Sequence, residues 1–114
     1  MVTVILSAAL LCIGEFCYPA LIGKETPIGE FNLIERRVID PSYGGNVIQF
    51  KETENDVYSI HRPWRGKPKE QRDKRLKSSN TSRRLITSGC INVEDEVFDA
   101  LIKCCTNTKI RIIK

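Results

Sequence analysis

The chain has 114 residues, with 18 Lys and Arg against 14 Asp and Glu, a single His and five Cys. A domain of this length buries about two-thirds of its unfolded surface, so one core suffices without metal or disulfide staples, and the ordinary composition excludes fibrous and disordered classes. The net charge of +4 hides an asymmetry: residues 62–84 carry ten basic and two acidic side chains, leaving the remainder of the chain net acidic.

Val2 to Ile13 is apolar, but it is too short to span a bilayer. No Lys or Arg precedes it and no small-x-small site follows, so it reads as mature protein rather than an export signal. Val2 to Leu6 is rich in β-branched residues and predicts a strand. Leu10 to Ile13, a two-residue turn at Gly14-Glu15, and Phe16 to Leu21 predict a hairpin. That register sets Cys12 opposite Cys17, as a cross-strand disulfide or as two packed thiols. Pro19 places this strand at a free edge or a bulge.

Residues 23–29 form a Gly- and Pro-punctuated loop, and Phe31 to Ile39 resumes strand character. Asp40 to Gly45 is a second loop. Asn46 to Phe50 and Val57 to His61 are short strands around a polar turn. Residues 62–84 then break the β pattern. Glu70 to Lys77 has the length for two helical turns but offers only Leu76 for burial. A charged excursion of this kind is ordinarily a solvated loop; lying between His61 and Cys90, it could equally cover a site. Leu85-Ile86 returns to strand. From Val93, apolar residues recur at helical spacing through Cys104, with Asn92 as the N-cap. Asn107 suits a left-handed helix end, and Lys109 to Ile113 alternates as a closing strand. Cys104 and Cys105 are expected as two packing residues. The whole reads as a mainly β domain with one substantial helix.

The stretch Thr87-Ser88-Gly89-Cys90-Ile91-Asn92 carries the chemical signal. A Gly before a Cys permits a sharp turn that exposes backbone N–H groups, and a helix starting at Asn92 would favour the thiolate. The alternative is a small buried Cys between strand and helix. Cys90 and His61 form the sole plausible nucleophile–base pair. With one His, the spacing provides no zinc ligand set, and no Gly-rich phosphate loop precedes a helix.

The pattern resembles the catalytic domain of the L,D-transpeptidases (the YkuD-type family), bacterial enzymes that crosslink peptidoglycan. That family carries a histidine, a spacer, then Ser/Thr-His-Gly-Cys-hydrophobic-Asn/Arg; His61 and Thr87, Gly89, Cys90, Ile91 and Asn92 match in order. A Gly-x-x-Thr-Pro-x-Gly-x-Phe loop is matched by Gly23 to Phe31. Two departures are visible: Ser88 replaces the second histidine, and the spacer is longer and more basic.

The resemblance implies a β-sandwich with one helix after the cysteine and a basic lid or loop at 62–84, all within a single domain of residues 1–114. It implies that His61 deprotonates Cys90 while the Arg62 carbonyl orients the imidazole. Backbone N–H groups of Gly89, Cys90 and Ser88 would then form an oxyanion hole. The thiolate would attack a tetrapeptide stem before its terminal D-alanine, and an amine acceptor would resolve the thioester, with no cofactor and no metal. Water as acceptor gives an L,D-carboxypeptidase, and a free D-amino acid an exchange enzyme. Arg65, Arg83, Arg84, Trp64, Asn92 and Thr87 are the candidate substrate contacts, Arg62 adding its own charge, since Arg forks bind carboxylates bidentately. The resemblance places the protein in the periplasm or cell envelope, with no membrane span and no nucleic-acid partner. Two other readings keep different jobs open: a cell-wall-targeting antibacterial effector with the same chemistry, and a non-enzymatic nucleic-acid module using residues 62–84. The latter has only Trp64 as a stacking platform.

Overall fold

The structure, a computed structural model, describes all of residues 1–114. Two sheets face one another. The first has five strands in the order β3-β2-β1-β11-β5: β1 (Val2–Ile5), β2 (Leu10–Ile13), β3 (Phe16–Pro19), β5 (Gly29–Asn32) and β11 (Lys109–Ile113). The second runs β10-β8-β7-β6, with β6 (Ile34–Arg36), β7 (Val47–Glu52), β8 (Val57–His61) and β10 (Ile91–Asn92). A small parallel pair joins β4 (Ile22–Gly23) to β9 (Leu85–Thr87).

Alternation decides which faces meet. Val2 and Val4 on β1, Ile110 and Ile112 on β11, and Ile48 and Ile60 from the second sheet are fully buried. They form one 18-residue core with Val97, Phe98 and Leu101 of helix α2 (Asp95–Cys104). Removing the Phe98 ring from such a core costs about 3–5 kcal/mol.

The hairpin adopts the expected register, Cys12 opposite Cys17, and the two form a disulfide. Gly14 makes the turn at φ +60°, and Pro19 lies on the edge strand, where no N–H is required of it. Three expectations change. Phe31 to Ile39 is not one strand: at Leu33 the chain passes from the first sheet to the second. The Leu33 backbone there exchanges hydrogen bonds of 2.8 Å with Thr108 and Asn107. Asn107 does adopt the left-handed conformation, φ +67°, but lies beyond the helix end. Cys104 and Cys105, expected as separate packing residues, are bonded to one another where α2 ends, which leaves Cys90 as the one free thiol. Finally, α2 starts at Asp95 with Glu94 before it, not at Asn92.

Residues 62–84 form a cover built largely from side chains. Its one α-helix, α1 (Arg72–Leu76), is anchored by the fully buried Leu76. Arg84 runs inward, donating to the carbonyls of Ala8, Ala9 and Ser78 at 2.8–3.2 Å. Arg75 donates to the carbonyls of Glu70 and Arg83. Half of the ten basic residues thus brace the segment or pair with acids, Arg62, Arg65 and Arg72 supplying the ion pairs.

Candidate active site

The cysteine turn is fixed by backbone and small side chains. Strands β8 and β10 run parallel with His61 beside Asn92, and Ser88-Gly89-Cys90 links β9 to β10. The Thr87 hydroxyl donates to the Cys90 carbonyl at 2.6 Å and accepts the Gly89 N–H at 3.1 Å. From below, Thr26 accepts the Gly23 N–H and donates to the Gly89 carbonyl, each at 3.0 Å. This gives the Gly-x-x-Thr-Pro loop its physical purpose, since it clamps the turn that carries the thiol. Both glycines are required by space. A Cβ on Gly23 would overlap the Thr87 carbonyl, and one on Gly89, at φ +141°, would strike the Tyr58 ring.

Cys90 and His61 open on one cleft of about 170 Å³, lined also by Tyr43, Trp64, Arg72, Thr87 and Ser88. His61 is 2% exposed. Its Nδ1 lies 2.7 Å from the Arg62 carbonyl, so that nitrogen carries the proton and Nε2 keeps its lone pair. Tyr43 packs edge-on against the imidazole with centroids 4.7 Å apart. The Asn92 amide holds the opposite side. Its Oδ1 accepts from the Trp64 backbone N–H at 3.1 Å and from Arg72 Nη1 at 3.0 Å, which turns Nδ2 toward His61 Nε2 at 3.4 Å.

The resting electrostatics differ from the thiolate expected of a helix start at Asn92. Burial pushes the Cys90 thiol up from its ordinary value, outweighing the Ser59 backbone and the Arg72 charge, which pull it down. The start of α2 at Asp95 removes the helix terminus from the argument. Burial likewise lowers His61 to about 4; the Arg62 carbonyl opposes this and Arg72 adds to it. At neutral pH the pair is therefore thiol and imidazole. The thiol points to the Val57 carbonyl, 3.8 Å away.

The remaining expected residues separate clearly. Arg62 lends its carbonyl to His61, but its guanidinium turns away to Asp99 at 2.6 Å and lies over the Phe98 ring. There it borders a different groove of about 440 Å³ that contains neither Cys90 nor His61. Arg65, expected to contact substrate, pairs with Asp73 and Asp95. Arg84 is buried in its carbonyl cage and Arg83 is exposed on the outer rim; none of the three lines the cleft. Asn92 is fully buried and acts as a brace. Thr87 lines the floor with its hydroxyl occupied. Trp64 forms a wall of the cleft, its Nε1–H buried without an acceptor. Gly89 spends its N–H on Thr87, leaving Ser88 and Cys90 as the N–H groups of the turn with no protein acceptor. Tyr43 and Arg72 are the residues the sequence did not single out. Tyr43 closes a short 3-10 turn, Pro41–Tyr43, within a stretch read as loop, and Arg72 is one of ten basic residues with no distinguishing spacing. No group of three or more His, Cys, Asp or Glu side chains is placed to share a metal ion.

No protein-family model matches the chain, and no curated protein does. Solved structures do. L,D-transpeptidase 3 from Mycobacterium tuberculosis superposes with a TM-score of 0.66 at 12% identity, over 99% of this chain and 60% of that one. An L,D-transpeptidase from Xylanimonas cellulosilytica gives 0.62 at 15% identity, over 98% and 59%. An L,D-transpeptidase in complex with imipenem gives 0.63 at 21% identity, over 98% and 57%. The chain has the L,D-transpeptidase fold, and it spans about 60% of the length of these structures.

Proposed function

We propose that the protein is a cysteine acyltransferase of the L,D-transpeptidase type acting on peptidoglycan stem peptides in the cell envelope. The observation that carries this reading is that Cys90 and His61 line one cleft, with His61 Nδ1 held by the Arg62 carbonyl so that the Nε2 lone pair is the accepting one, facing the Asn92 amide at rest. The likeness in fold supports the substrate class, and the residues lining the cleft support the chemistry.

Because both groups rest neutral, proton transfer accompanies attack. As Cys90 Sγ closes on the carbonyl before the terminal D-alanine, its proton passes to His61 Nε2. The tetrahedral oxyanion is received by the free N–H groups of Ser88 and Cys90. Collapse breaks the C–N bond, and His61 returns the proton to the departing D-alanine amine. An acceptor amine then attacks the thioester, His61 takes its proton, and the thiol is regenerated as the new amide forms. Water in place of the amine gives carboxypeptidase activity.

Imipenem, bound by one of the structures of this fold, is a direct probe. Intact-mass analysis is expected to show one added imipenem on the wild-type chain and none on Cys90→Ala. A folded wild-type protein that acquires no mass overturns the reading. The same adduct separates it from a nucleic-acid module, which has no use for a reactive Cys90.

A further inference from the structure

Arg72 is the one cation whose side chain lines the Cys90 cleft. Its side chain is nine-tenths buried, at 10% exposure, and is paired with Glu70. Arg carries five N–H donors. One, on Nε, goes to Glu70 at 3.0 Å, and one, on Nη1, goes to Asn92 at 3.0 Å. Trp64 lies against the guanidinium, 5.2 Å from its carbon to the ring centroid. The plane is therefore held from three directions while the Nη2 edge donates to nothing in the protein. Because Trp64 Nε1 is the only buried side-chain nitrogen or oxygen without a partner, Nη2 is not sealed in the interior; Arg72 borders both the Cys90 cleft and a neighbouring groove of about 260 Å³ that it shares with Trp64 and Asp73.

The cleft itself is small. At about 170 Å³ it falls below the roughly 300–1,000 Å³ that encloses a drug-sized ligand. A braced guanidinium lining a small cleft beside a nucleophile matches a planar anion, and among peptide ends only the C-terminal carboxylate supplies one next to a scissile amide.

The geometry points to Arg72 as the specificity-determining residue of this cleft: it binds the free α-carboxylate of the residue that leaves, and so restricts Cys90 to the terminal amide bond of a peptide acid. The assignment of that peptide as a stem peptide rests on the function proposed above; the anion site beside Cys90 does not.

Two paired comparisons test it. Cys90 is alkylated with iodoacetate and with iodoacetamide, each forming a C–S bond with loss of iodide, and the rate ratio is normalised to that of glutathione. In the wild type the anionic reagent is expected to be favoured by about tenfold, the scale of one charge-assisted hydrogen bond. Arg72→Gln should bring the ratio to the glutathione value, and Arg72→Lys should restore part of it, which loss of packing alone would not produce. A wild-type ratio equal to that of glutathione, or one that survives Arg72→Gln, overturns the proposal. Because Arg72→Gln could disturb the cover, the second comparison uses wild type only, with a tetrapeptide stem as its C-terminal acid and as its C-terminal amide. Acylation by the acid alone supports the proposal, and equal acylation by both overturns it while leaving the acyltransferase intact. Acylation by neither, with the iodoacetate preference present and lost in Arg72→Gln, removes the stem-peptide reading and keeps the anion site.

Discussion

The turn around Cys90 and the cover at 62–84 lie against the same cleft but are specified in opposite ways. The turn is written in residues with almost no side chain. Gly23 and Gly89 are needed because a Cβ would meet the opposing chain, and Thr26 and Thr87 each satisfy backbone groups on two sides. The cover is written in long side chains, with Arg72, Arg75 and Arg84 reaching back to neighbouring carbonyls, Asn92 and Glu70. Small residues in a fixed order tolerate few exchanges and leave a pattern. Arginines that work by reach can be placed in many ways and leave none.

This contrast sets an order of sensitivity. Gly89→Ala should be among the most damaging changes outside the reacting pair, because φ +141° and the Tyr58 ring both oppose a methyl group. We expect about 3 kcal/mol lost in urea denaturation, with Cys90 alkylation kinetics altered in whatever folded protein remains.

The buried imidazole comes next. His61 has a folded value of about 4 against an ordinary 6.5, so the unfolded chain takes up the proton first. Its contribution is fully present above pH 6.5 and is lost as pH falls toward 4, where the loss reaches about 3 kcal/mol. Denaturation curves at pH 7 and pH 4.5 should show it, and His61→Gln should flatten that part of the profile. A wild-type profile without this fall would contradict the buried neutral imidazole.

Asn92→Ala should cost about 2 kcal/mol, since it leaves the Trp64 N–H and Arg72 without their shared acceptor. Its distinguishing sign is local: proteolysis should accelerate within 62–84 more than elsewhere, because Asn92 ties the cover to β10. At the bottom of the scale, Arg65→Ala removes exposed ion pairs with Asp73 and Asp95 and should change stability by less than about 1 kcal/mol. A larger effect would mean that the outer rim of the cover matters as much as its inner face.

What could be read beforehand follows the same division. The hairpin register, and with it the facing of Cys12 and Cys17, was legible because two residues at Gly14-Glu15 leave one close-packed way to turn. The Gly-Thr clamp and the Cys90 stretch were legible as an ordered pattern, although the purpose of Thr26 emerges only from its contact with Gly89, far along the chain. The break at Leu33 was hidden, since residues 31–39 are continuously β-like and the partners that divide them, Asn107 and Thr108, come much later. The helix start was misplaced because Asn92 has the chemistry of a cap, yet here its amide is spent on Trp64, Arg72 and His61. The expected thiolate failed with it. Among the arginines, the sequence reading favours Arg65, Arg83 and Arg84 over Arg72, although only Arg72 lines the cleft, and Tyr43 has no pattern to betray its contact with His61.

The central claim is that an imidazole locked by the Arg62 carbonyl draws the proton from Cys90 as the sulfur attacks. Its most direct test is intact-mass analysis of the wild-type chain, Cys90→Ala and His61→Ala after mixing with a tetrapeptide stem ending in D-alanine. The account predicts a thioester on wild type, mapped to Cys90 and accompanied by one released D-alanine, with no adduct on either variant although both stay folded. An adduct of equal yield on His61→Ala, or a folded wild type that carries none, would contradict it.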